Sequence, residues 1–107
     1  MTSCSADLLT AAERLDESPE ELLNGGATAA LQALESCQPD IEALAAAHGI
    51  DFPALNALWE RASVRLRETP TPEELFPAAA DAAGLLYAAA WVLRAESVTT
   101  DDLQSML

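Results

Sequence analysis

From Pro77 to Ala95 the chain reads PAAADAAGLLYAAAWVLRA, with Asp81 the only charge before Arg94. Ala and Leu lose little freedom in a helix, and nothing after Pro77 breaks the run, so a helix is the expected form. A helix that is apolar on nearly every side must be the middle of a bundle or be covered by another chain. The rest of the sequence therefore has to provide helices that surround it.

Composition agrees. Half of the 107 residues are hydrophobic and only 5% are aromatic, the apolar content being chiefly Ala and Leu. β-Branched residues are scarce, which disfavours sheet. A chain of this length forms one domain that hides about 65% of the surface its unfolded form exposes. The expectation is an all-α, single-domain compact bundle of about five to seven helices over residues 1–107.

Prolines mark the boundaries. The stretch SPEELL at 18–23 returns as TPEELF at 71–76. In each, Ser18 or Thr71 stands as an N-cap, Pro19 or Pro72 opens the helix, and two glutamates follow where the helix dipole favours carboxylates. That predicts helices over about Ser5–Glu17, Pro19–Leu23, Ala27–Cys37, Pro39–His48, Pro53–Glu68 and Glu73–Glu96, the last jogged at Pro77. A short one follows near Thr100–Met106. Asn24, Gly25 and Gly26 read as a helix stop. Leu55, Leu58, Trp59, Ala62 and Leu66 follow the helical period and point one stripe of their helix inward. Ile41, Leu44, Ala45 and His48 do the same on another.

Charge is the largest anomaly. Eighteen acids stand against five arginines and no lysine, a net charge of −13, with −9 carried by residues 1–52 and −4 by the remainder. Such a surface repels phosphate backbones and anionic lipid, so neither direct nucleic-acid binding nor membrane binding is expected. The uncharged segment 82–93 is also shorter than the roughly 20 residues a membrane span needs. No secretory signal is apparent, and Cys4 and Cys37 match no redox or zinc spacing. The expectation is a cytoplasmic protein with reduced thiols.

No motif supports catalysis. There is no P-loop, dinucleotide fingerprint, HExxH or CxxC, and His48, the only histidine, is placed for packing at a helix end. The reading is of a non-enzyme without cofactor or metal and with no catalytic residues. What remains is recognition by surface. Glu13, Asp16, Glu17, Glu20 and Glu21 crowd one interval and would form a negative face if the first two helices pack as a hairpin. Such a face suits a stoichiometric inhibitor or adaptor that covers a basic surface of a partner protein, a nucleic-acid-binding enzyme among the candidates, by mimicry of a phosphate backbone. The alternative uses the apolar helix 77–95 as the seam of a homodimer or of a secretion-type chaperone. Ala80, Gly84 and Ala88 recur every four residues and admit a second helix closely, with Tyr87 and Trp91 as amphipathic anchors.

Overall fold

A computed structural model describes residues 4–48, 52–94, 101 and 105. Five helices account for most of them: α1 (Cys4–Glu17), α2 (Gly26–Ser36), α3 (Gln38–His48), α4 (Phe52–Arg67) and α5 (Leu75–Arg94), with a 3-10 turn at Pro19–Leu22 between α1 and α2. No strand occurs among the described residues, and the protein is an all-α bundle. The side chains of Leu44, Ala45 and His48, together with Gly49 and most of the expected helix near Thr100–Met106, lie outside what is described.

The core takes in the whole of the predicted α4 stripe. Leu55, Leu58, Trp59, Ala62 and Leu66 of α4 are all buried, as are Leu8, Ala12 and Leu15 of α1, Leu34 of α2 and Ile41 of α3. Each fully buried Leu or Ile contributes about 1.5–3 kcal/mol of apolar burial. The most extensive contact joins α1 to α5. Small residues let the two approach closely: α1 offers Ala11 and Ala12, α5 offers Ala79, Ala82, Ala83, Ala89 and Ala90, all buried.

The echoed motifs share one turn hydrogen bond but not the capped helix start expected of both. In each, the second glutamate closes a turn onto the residue before the proline: Glu21 N–H donates to the Ser18 carbonyl at 2.9 Å, and Glu74 N–H to the Thr71 carbonyl at 3.0 Å. Ser18 sits at the N-cap position of the 3-10 turn, but its side chain makes no capping hydrogen bond. The helix α5 begins at Leu75, so Pro72 and Glu73 belong to the turn and not to a first helical turn. Pro77 falls in the opening turn of α5 and costs no hydrogen bond there, so the helix runs on through it.

One expectation is corrected. Cys37 is fully buried and disulfide-bonded, and no described cysteine is free, against the reading of reduced thiols. Cys37 follows α2 directly, in a body where α1 packs on α2, a proximity that spacing along the chain does not reveal. By length and composition alone α5, at 20 residues, reaches what a membrane crossing needs, as the core helix of a bundle also can, and half of its apolar window is buried inside the bundle.

Nor is α5 enclosed on all sides. The body measures 41 × 30 × 18 Å, and its shortest dimension holds only two layers of helices, each about 10 Å across. A helix in one of two layers keeps an outer face. That outer face is where the functional question lies.

Candidate functional site

The outer face of α5 is apolar. Phe76 is 64% exposed and Trp91 49% exposed. Between them Pro77, Ala80 and Gly84 are exposed, with Tyr87 and Ala88 half-buried. All of the predicted seam residues Ala80, Gly84, Tyr87, Ala88 and Trp91 thus share one side of the helix. Phe76 was not singled out in the sequence, although its place four residues before Ala80 continues the 76, 80, 84, 88 series. A Cβ added at Gly84 would meet nothing within 4 Å, so the middle of the strip is open space.

The two margins of this strip differ. At one margin stands Tyr87. Partial burial, and after it the charges of Asp16, Glu13 and Glu17, raise its phenol above the ordinary value of 10.0. Those three carboxylates are exposed residues of α1, so the acidic interval borders the apolar strip. The helical period explains their grouping: positions 13, 16 and 17 are three and four apart and lie on one side of α1. At the other margin Asp81 meets α4, its Oδ2 2.7 Å from Arg65 Nε. That contact is electrostatic and not a directed hydrogen bond, because the same oxygen has no aligned donor. Arg65 Nη1 also lies 3.0 Å from Glu68 Oε2.

Of the five acidic residues singled out in the sequence, four stay outward. Glu13, Asp16, Glu17 and Glu20 are exposed and take part in none of the ion pairs drawn among the described residues. Glu21 departs from the expectation: it is half-buried and pairs with Arg14 at 3.1 Å. The turn at Ser18 folds the chain back and brings Glu21 beside the only arginine of α1.

A cleft of ≈ 660 Å³ between α4 and α5 is lined by Arg61, Arg65, Glu68, Thr69, Glu74 and Asp81, among others. Its Arg65, Glu68 and Asp81 already pair with one another, and it contains neither His nor Cys. Among the described residues no group of three or more His, Cys, Asp or Glu side chains is placed to hold a metal ion. No family model, no curated protein and no solved structure matches the chain.

Proposed function

We propose that the chain is a non-enzymatic protein-binding module, an inhibitor or adaptor that covers a basic surface of a partner protein. The observation that carries this is the outward placement of Glu13, Asp16, Glu17 and Glu20 at the end of α1 and in the turn that follows. Held on a rigid helical body, these carboxylates present a fixed pattern of negative charge, which a cationic surface recognises at long range and which resembles the charge spacing of a phosphate backbone. A nucleic-acid-binding enzyme has a basic surface of that kind.

The test is affinity capture from the native host at low and high salt, with the wild-type chain and with a Glu13→Gln, Asp16→Asn, Glu17→Gln, Glu20→Gln variant. A basic protein retained at about 50 mM salt, released by about 500 mM and lost with the variant is the expected result. Retention that ignores both salt and the variant would refute the reading.

A second reading has its own support in the exposed apolar side of α5, which a second copy or an apolar client would cover. Association of that kind is insensitive to salt and is seen by light scattering. As to compartment, the proposal from the sequence is cytoplasmic. The disulfide at Cys37 weighs against it, since such bonds persist in oxidising surroundings. Alkylation of thiols at the moment of cell lysis, followed by mass spectrometry, distinguishes the two.

A further inference from the structure

We infer that the partner element this chain receives is a basic amphipathic α-helix, laid along the outer face of α5 with its cationic edge against the carboxylates of α1. The inference rests on the reading above and adds which structure of the partner is bound, and where.

Three observations carry it. The strip from Phe76 to Trp91 spans about 22 Å along the helix axis, the length of four turns of a partner helix. Its ends are large exposed anchors, and its middle is formed by Ala80, Gly84 and Ala88. Small residues four apart leave a groove into which the ridge of another helix fits, the mode in which an apolar helix face is bound. Beside the strip, Glu13, Asp16 and Glu17 are exposed on α1, the helix that packs most extensively on α5, and their charges act on the Tyr87 phenol. Apolar floor and acidic wall are therefore one surface, complementary to a helix with an apolar face and lysines or arginines along one edge.

Charge also decides between a heterologous helix and a second copy of this chain. In an antiparallel twofold contact through α5, the α1 carboxylates of one copy would face those of the other. In a parallel contact they would face the Arg65 margin, where Arg65 already pairs with Glu68 and Asp81. Each copy, moreover, brings a net charge of −13.

The test uses the intact 107-residue chain and fluorescently labelled synthetic peptides of about 18 residues, long enough for five helical turns. The first has a Leu/Ala face with Lys and Arg along one edge. The second has the same composition scrambled to abolish the face. The third keeps the face and replaces the basic residues by Glu. Anisotropy titrations should show the first bound at least about tenfold more tightly than either of the others, a difference that corresponds to about 1.4 kcal/mol. Gly84→Trp, at a position where an added Cβ meets nothing within 4 Å, should weaken the first peptide by a similar factor. Trp91→Ser, and separately the Glu13→Gln, Asp16→Asn, Glu17→Gln triple variant, should do the same, with circular dichroism confirming that each variant is folded. If the scrambled basic peptide binds equally and Gly84→Trp changes nothing, the helix groove is wrong while the acidic-surface reading stands. Equal binding of the Glu-edged peptide would remove the carboxylate wall from the proposal. A dimer in light scattering that Gly84→Trp dissociates would make a second copy the occupant and overturn it. If no basic peptide binds at any salt, the acidic-surface reading falls together with the groove.

Discussion

The indole Nε1 of Trp59 donates to the main-chain carbonyl of Leu34 at 3.2 Å, inside the bundle. Leu34 lies in the last turn of α2, where its carbonyl also accepts the Cys37 N–H at 3.1 Å, so the indole fills the core and gives that carbonyl a second donor, from α4. Trp59→Phe removes the donor and keeps most of the apolar volume. Because the Leu34 carbonyl keeps the Cys37 N–H, urea denaturation should show a loss of only about 0.5–1.5 kcal/mol, against about 3–5 kcal/mol for Trp59→Ala, which also opens a cavity.

Three glycines should answer Ala substitution differently. Gly84 sits in a helix with open space around it, so Gly84→Ala stabilises by about 0.5–1 kcal/mol through the better helix former. Gly25 has φ of 100°, a conformation that costs a residue with a Cβ about 1–2 kcal/mol. At Gly26 an added Cβ would lie 2.7 Å from the Glu21 carbonyl oxygen, a backbone atom that cannot swing aside. Gly26→Ala should therefore destabilise by about 1–3 kcal/mol. Thermal denaturation of the three variants gives the order directly.

Arg65 joins α4 to α5 through Asp81, but both side chains are more than a third exposed. Solvent screens such a pair, and it is worth about 0–1 kcal/mol. Asp81→Asn should therefore leave the chemical denaturation midpoint nearly unchanged, with any small difference from wild type disappearing in about 1 M salt.

Cys37 is disulfide-bonded and fully buried. A native disulfide in a small domain contributes about 2–4 kcal/mol, mainly by restricting the unfolded chain. Addition of a thiol reductant should lower Tm, and Cys37→Ser should lower it at least as far, because a buried hydroxyl then replaces sulfur. The reductant should have no further effect on the variant.

How far the chain could be read in advance depends on the kind of information each feature carries. The α4 stripe Leu55, Leu58, Trp59, Ala62, Leu66 was readable because apolar and polar positions alternate at the helical period, and all five are buried. On α5 apolar residues occur all round, so periodicity does not say which side faces inward. Ala79, Ala82 and Ala83 turned in, while Ala80 and Gly84 turned out, and only the two-layer thickness of the body explains why an outer side exists. The repeated Pro-Glu-Glu motifs read as capped helix starts, yet Ser18 makes no side-chain cap and Pro72 and Glu73 stay in a turn, because whether a turn continues as a helix is decided by what packs behind it. The joining of Cys37 in a disulfide and the neighbourhood of Tyr87 to α1 are through-space facts. Glu13, Asp16 and Glu17 were visible as a charged interval; their position beside an apolar strip was not.

Tyr87 reports on that position, because it is the only tyrosine in the chain. Its phenol is held above 10.0 first by partial burial and then by the charges of Asp16, Glu13 and Glu17. Each opposes formation of a phenolate, the first by withdrawing water and the others by like-charge repulsion. The absorbance of tyrosinate near 295 nm should therefore titrate with a midpoint above 10.0. The Glu13→Gln, Asp16→Asn, Glu17→Gln variant should move the midpoint down toward the ordinary value, and high salt should do so in part. Burial keeps the rest of the shift in place. The folded chain holds this proton more tightly than the unfolded one, so the contribution to stability is complete below 10.0 and is lost as pH rises through the folded value. A midpoint that the triple variant leaves unmoved would place the α1 carboxylates away from Tyr87 and remove the acidic wall from the α5 groove.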